Sequence, residues 1–254
     1  MSPTSFPQAN KEHFFIVGAQ RSGTTYLYEL LESHPDVAMA KPVKPEPKWF
    51  LDPQKVTKGA AVWEQTLFPG TQARVLGEKG TSYIEYPLVA DSILSYFPQA
   101  RFVVIVREPI ARAVSNYRFS VGNGLEKLPL EQALTLEAEK RPFDTAKISV
   151  SPYSYLHRGI YADYLEAWMN RVPQEKVHLV VLEELVRDKS LEGLCAFLGI
   201  APYHPQNMDK LVNAATEPMP DIPERLRKDL ARYFEGPNHR LEKLLGRPLD
   251  LWRK

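Results

Sequence analysis

Apolar residues fall along this chain in two rhythms. Four short runs are apolar at nearly every position: 13–17 (HFFIV), 74–77 (RVLG), 101–106 (RFVVIV) and 177–182 (VHLVVL). Continuous apolarity without alternation is the pattern of parallel strands covered on both faces. Between these runs the apolar positions recur every three or four residues, which predicts helices over 24–33, 87–97, 109–119, 159–171, 190–198 and about 223–245. Strands alternating with helices predict right-handed βαβ units, hence an α/β fold with a central parallel sheet flanked by helices. No internal repeat or low-complexity linker interrupts the pattern, so residues 1–254 are expected to form one domain. In such sheets ligands sit beyond the carboxyl ends of the strands, and the residues that follow each run are where chemistry is to be sought.

Composition narrows the classes. The 254 residues carry 32 Lys plus Arg against 31 Asp plus Glu, a formal net charge of +1. A protein that coats nucleic acid or an anionic membrane needs a clear cationic excess, so neither partner is expected. No apolar run approaches the roughly 18 residues of a membrane span, and the first residues (MSPTSFPQANKE) lack the pattern of a signal peptide, which predicts a soluble, cytoplasmic protein. The single Cys195 lies among Leu194, Ala196, Phe197 and Leu198 and reads as a core thiol. The six histidines are scattered, with no metal-ligand spacing, so no metal site is expected.

The first run ends in Gly18-Ala19-Gln20-Arg21-Ser22-Gly23-Thr24-Thr25 and opens directly into a predicted helix. Glycines that let backbone N–H groups turn inward, followed by a helix N-terminus, form a phosphate cradle. The spacing matches the P-loop GxxxxGK[ST] except that Thr24 stands in place of the lysine. That lysine reaches the β and γ phosphates of a triphosphate, so its absence argues against a triphosphate ligand. Arg21 supplies a cation instead, and Gln20, Ser22, Gly23, Thr24 and Thr25 complete the candidate cradle. The third run ends in Arg107-Glu108-Pro109, with Pro at a favoured first helical position and Ser115 about two turns further on. Arg107 and Ser115 are placed to clamp a second phosphate, although an arginine after a strand is also a common surface residue.

The segments FFIVGAQRSGTTYLYELLESHPDV and RFVVIVREPIARAVSNY, in this order, resemble the two cofactor motifs of sulfotransferases that use 3′-phosphoadenosine-5′-phosphosulfate (PAPS). The later stretches HRGIY with Trp168, VHLVVLEELVRD, LCAFLGI and GPNHRLEKLLGRPLDLW are similar to that family too, in particular to bacterial and heparan-type members. The resemblance implies a P-loop-type three-layer fold and PAPS as the donor. Its 5′-phosphosulfate would lie on the first loop and its 3′-phosphate on Arg107 and Ser115, with Tyr161 against the adenosine. As an aromatic beside Trp168, Tyr161 reads equally well as core.

A general base is expected on a loop near the cradle. Residues 41–51 (KPVKPEPKWFL) hold three prolines that stiffen an irregular segment, and Glu46 stands between Lys44 and Lys48 and just before Trp49 and Phe50. Taken alone, the segment is also what a solvated charged loop looks like. Heparan-type sulfotransferases carry their catalytic glutamate in a very similar place, which implies Glu46 as base, with Lys48 where they have histidine and Asp52 one position later than their acidic residue. The stretch Glu78-Lys79-Gly80-Thr81-Ser82-Tyr83 resembles the family segment EKTPxY and implies that Lys79, with Arg21, stabilises charge near the sulfuryl group. The basic, glycine-containing loop that such enzymes carry late in the chain is replaced by LVNAATEPMPDIPERLRK, where Arg225 and Arg227 are the available cations.

For the acceptor, Lys48, Tyr83 and Tyr155 are the candidate contacts, with Tyr153 and Phe143 able to stack on a ring or to pack as local core. The expected activity is transfer of a sulfuryl group to a hydroxyl of a carbohydrate or a hydroxylated small molecule. The neutral overall charge disfavours a highly sulfated polymer. A P-loop kinase and a non-catalytic nucleotide binder remain the alternative readings.

Overall fold

A computed structural model of the chain describes residues 11–136, 141–144, 150–205 and 222–253. Among them five strands, β1 (Glu12–Gly18), β2 (Val37–Met39), β3 (Val75–Lys79), β4 (Arg101–Val106) and β5 (Val177–Val181), form one parallel sheet in the order β2-β3-β1-β4-β5. All four apolar runs are strands. The fifth strand, β2, has only three residues, too few for a periodic signal. Strand β3 extends two residues beyond its apolar run, through Glu78 and Lys79, which are 0% and 4% exposed. Buried charges persist only with partners, and both have them: Glu78 accepts from the Trp63 indole and the Tyr83 hydroxyl, and Lys79 pairs with Glu46.

Among the described residues, ten helices cover the sheet and its edges: α1 (Thr24–Glu32), α2 (Pro53–Val56), α3 (Ala60–Leu67), α4 (Leu88–Tyr96), α5 (Pro109–Gly122), α6 (Leu130–Thr135), α7 (Tyr161–Met169), α8 (Leu182–Asp188), α9 (Glu192–Leu198) and α10 (Glu224–Leu245). Alternate strand residues feed two cores. Phe15, Leu76, Phe102 and Val104 pack with Trp63, Ile93 and Trp168 on one face, and Phe14, Ile16, Val103 and Ile105 pack with Leu27, Leu30 and Leu194 on the other. Cys195 lies in the second core at 1% exposure. A third cluster joins α5 and α6 to α10 through Val114, Leu134, Leu230 and Phe234. Close packing explains one glycine: a Cβ at Gly77 would sit 2.3 Å from the Phe14 ring.

The two ends of the sheet differ electrostatically. At the amino edge the Glu12 carboxylate takes both Arg74 and Arg101, the residues at the starts of β3 and β4. At the carboxyl edge stand Arg21 and Arg107, for which no described carboxylate lies at ion-pair distance, so positive charge gathers at that end. No helix among the described residues is long and apolar enough to cross a membrane.

Candidate functional site

The loop after β1 forms a cradle by backbone geometry. Arg21 and Gly23 adopt left-handed conformations (φ 66° and 92°), and a Cβ on Gly23 would lie 2.8 Å from Leu182. Helix α1 then begins at Thr24 with no side-chain cap and no acidic residue in its first turn. Its leading N–H groups are therefore offered to an external anion, together with the positive end of the helix dipole. Helix α5 makes the contrast, because Glu108 caps it by accepting from the N–H groups of Ile110 and Ala111.

Arg21 reaches across to α5, where its Nε donates to Ser115 Oγ at 3.2 Å and its guanidinium lies 4.8 Å from the centre of the Phe119 ring. Partial burial, and then the charges of Arg107 and Arg118, push its pKa below the ordinary arginine value. Cations crowded in this way are stabilised by a bound anion. Arg107 and Arg21 thus meet near one point, as the two sequence motifs require.

Tyr161 joins the motifs from beneath. Its hydroxyl donates to the Arg107 carbonyl (2.7 Å), accepts from the Arg107 N–H (3.3 Å) and lies 3.4 Å from Ser22 Oγ. The ring is 1% exposed, and burial pushes its pKa up to about 12. Neither expectation for this residue is complete: it is buried as a core aromatic is, yet its hydroxyl ties the first loop to the β4–α5 turn. Glu183, just after β5, accepts from the Glu108 N–H and from the Trp252 indole and so holds the same turn from the other side.

Opposite the cradle, the 41–55 segment brings Glu46 to Lys79. Glu46 Oε1 lies 3.0 Å from Lys79 Nζ, and Oε2 accepts from the Thr81 N–H and hydroxyl, both at 3.0 Å. Lys79 Nζ also lies 3.4 Å from Thr25 Oγ1 in the first turn of α1. One ammonium therefore spans the candidate base and the phosphate cradle. The loop is anchored behind by two hydrogen bonds, Trp49 N–H to Glu78 (3.3 Å) and Phe50 N–H to the Tyr83 hydroxyl (3.1 Å). Burial raises the Glu78 pKa against the hydrogen bonds it accepts. Glu78 is a structural pin that its position next to Lys79 does not announce.

These groups line a cleft of about 1030 Å³. Gln20, Arg21, Thr24, Thr25, Lys79 and Thr81 form its floor; Glu46, Lys48 and Asp52 form one wall; Asn116, Phe119, Ser120, Ser151 and Arg158 form the other. Six cationic side chains face two carboxylates around it. Asn116 Oδ1 accepts from both Arg112 and Arg158, its amide donates to the Pro152 carbonyl, and Arg158 is tied to Glu85 at 2.9 Å.

Two expected acceptor contacts are not on the cleft surface. Tyr83 (0% exposed) is committed to Glu78 and Phe50, and Tyr155 (1% exposed) to Glu126 at 2.9 Å. Both rings lie in the core because large aromatics release more free energy buried and their hydroxyls find internal partners. Tyr153 likewise spends its hydroxyl on the Leu125 carbonyl. Asp52 lines the cleft, but its carboxylate caps α2 through the Gln54 and Lys55 N–H groups. Arg225 and Arg227 are exposed on α10 away from the cleft lining, and residues 211–221 of the segment that replaces the late basic loop lie outside the described residues.

The family model described as Sulfotransferase domain matches residues 11–217. The chain is 31% identical over 188 residues to heparan sulfate glucosamine 3-O-sulfotransferase 6 of Homo sapiens, covering 74% of this chain and 50% of that protein. It is 30% identical over 188 residues to heparan sulfate glucosamine 3-O-sulfotransferase 3B1 of Homo sapiens, covering 73% and 45% respectively. The chain thus spans about half the length of the curated relatives it matches. Among solved structures, a sulfotransferase from Alicyclobacillus acidocaldarius superposes with a TM-score of 0.78 at 25% identity, over 96% of this chain and 99% of that one. Mouse sulfotransferase SULT7A1 complexed with PAP shares the fold, with a TM-score of 0.50 at 18% identity over 96% of this chain and 86% of that one. A family model that spans most of the chain, relatives at 30% identity and a full-length structural match agree with the geometry of the cleft: the chain belongs to the sulfotransferase domain family.

Proposed function

We propose that the protein transfers the sulfuryl group of PAPS to a hydroxyl of a carbohydrate or hydroxylated small-molecule acceptor, with Glu46 as general base. The observation that carries this reading is the position of Lys79, whose ammonium lies 3.0 Å from the Glu46 carboxylate and 3.4 Å from Thr25 at the uncapped start of α1. The donor set fits a sulfated nucleotide: backbone N–H groups of residues 20–25, the Arg21 fork and Lys79 for the 5′ end, and Arg107 with Ser115 for a 3′-phosphate. PAPS supplies the electrophilic sulfuryl group and a phosphate leaving group.

The rest falls to the protein's own side chains. Glu46 takes the proton of an acceptor hydroxyl held in the cleft, which raises the nucleophilicity of that oxygen as it approaches along the Lys79 axis. Lys79 and Arg21 hold positive charge where negative charge develops on the leaving side. Acceptor length and chemistry are set by the walls at Lys48 and at Asn116–Ser120. The cation surplus of the cleft weakens the expectation drawn from net charge, because neutrality of the whole chain does not extend to this wall, and an acceptor with an acidic group is compatible with it. The absence of the P-loop lysine at Thr24 counts against the kinase reading.

Titration calorimetry with 3′-phosphoadenosine 5′-phosphate, adenosine 5′-phosphate and ATP with magnesium tests the donor site. The bisphosphate should bind tighter than the monophosphate by about tenfold or more, as a charge-assisted contact to the 3′-phosphate provides, and Arg107→Ala should abolish that preference. Binding of ATP with magnesium and none of the bisphosphate would sink the reading.

A further inference from the structure

Glu46 has a free terminal torsion, and glutamate carboxylates rotate broadly unless they are anchored. Here the anchor is Thr81, whose N–H and hydroxyl both donate to the same oxygen, Oε2, at 3.0 Å. The anchor itself is rigid. Gly80 N–H donates to the Ile16 carbonyl (3.0 Å), Tyr83 N–H donates to the Gly80 carbonyl (2.9 Å), and a Cβ at residue 80 would lie 2.3 Å from the Tyr83 ring packed on it. Both donors on Thr81 depend on its identity, since a proline at that position would present neither. The hydroxyl does not serve the phosphate cradle, which leaves its bond to Glu46 as its described role.

We propose that Thr81 is a positioning residue for Glu46: by occupying Oε2 twice it turns the carboxylate so that Oε1, beside Lys79, is the oxygen that receives the acceptor proton. This rests on the reading of Glu46 as general base. The proton leaves the acceptor hydroxyl for Oε1, that hydroxyl oxygen bonds to sulfur, and the bond from sulfur to the donor phosphate breaks. With a single hydrogen bond left, from the Thr81 N–H, the carboxylate is free to rock and presents Oε1 a smaller fraction of the time.

The test is a double-mutant cycle of Thr81→Val and Glu46→Gln, with Thr81→Ser as the conservative variant, read as release of 3′-phosphoadenosine 5′-phosphate from PAPS. Water serves as the acceptor where no other does. Thr81→Val should lower kcat about tenfold or more, the worth of a hydrogen bond to a charged group, while the KM for PAPS and the melting temperature stay near wild type. Thr81→Ser should restore most of the rate, and in the Glu46→Gln background Thr81→Val should have no further effect. An unchanged kcat in Thr81→Val, or an equal loss in both backgrounds, would overturn the assignment of Thr81 while leaving Glu46 in place. A wild-type rate in Glu46→Gln would overturn the base itself and the proposal with it.

Discussion

Tyr161 shows how much of a site can hang on one hydroxyl. It is bonded to both backbone groups of Arg107 and lies near Ser22, so a single buried phenol sets the distance between the loop after β1 and the turn after β4. Tyr161→Phe keeps the ring and its packing and removes those bonds, leaving the Arg107 carbonyl and N–H short of a buried partner. It should weaken 3′-phosphoadenosine 5′-phosphate by about tenfold and adenosine 5′-phosphate by less than about threefold, because only the former bridges the two motifs. Equal weakening of both in a calorimetric titration would mean that Tyr161 merely supports the first loop. At this scale the sequence is legible where function lies in spacing, as for Arg21, Glu46, Lys79 and Arg107. It is not legible for Thr81, Glu78 or Asn116, whose roles are hydrogen bonds to groups distant in the chain or to backbone atoms. Such bonds leave no periodic trace. The expectation for Tyr83 and Tyr155 fails for the related reason that a tyrosine near a site looks the same in sequence whether its hydroxyl faces the cleft or a buried carboxylate.

Elements that bury continuous apolar surface are readable, and those held by polar contacts are not. The four apolar runs form β1, β3, β4 and β5, and the 3.6-residue rhythm finds α1, α4, α5, α7, α9 and α10 within a few residues. What escapes is the 37–67 stretch, with β2, α2 and α3. Its order comes from the Asp52 cap, the Lys55 bond to the Pro47 carbonyl at 3.0 Å and the two anchors to Glu78 and Tyr83. This stretch carries Glu46, so the least periodic element holds the candidate base while the most periodic ones build its platform. Helices α1 and α5 divide the same labour by their ends: α5 is capped internally by Glu108, and α1 leaves its N–H groups to a ligand. That difference follows from Glu108 standing before Pro109, against Gly23 before Thr24.

Across the whole molecule the balance of 32 against 31 charges hides a polarised sheet, with arginines neutralised by Glu12 at the amino edge and cations gathered at the carboxyl edge. Titration of the fold depends on groups far from that site. Burial lowers His13, stacked on Phe97 with ring centres 3.9 Å apart, from 6.5 to about 4. The unfolded chain therefore binds this proton first, so stability is complete above pH 6.5 and falls as pH drops toward 4, by up to about 3 kcal/mol. His13→Phe should flatten that part of the pH–stability curve in denaturant unfolding, and an unaltered slope would reassign it. Glu126 acts in a lower window. Its burial alone would raise its pKa, but hydrogen bonds from Arg141, Leu128, Tyr155 and Lys127 hold it at about 2, so its contribution is lost only as pH falls from about 4.5 to 2. The central claim, that this cleft moves a sulfuryl group with Glu46 as base, is tested most directly by the rate at which radiolabelled PAPS transfers its sulfuryl group to a panel of oligosaccharides, phenols and aliphatic alcohols, in wild type and in Glu46→Gln. The expected result is a labelled product from at least one acceptor, with kcat reduced about 10² or more in the variant and unchanged affinity for 3′-phosphoadenosine 5′-phosphate. A protein that binds this nucleotide but labels no acceptor above the variant's background, or one whose transfer rate is left unchanged by Glu46→Gln, would contradict the account.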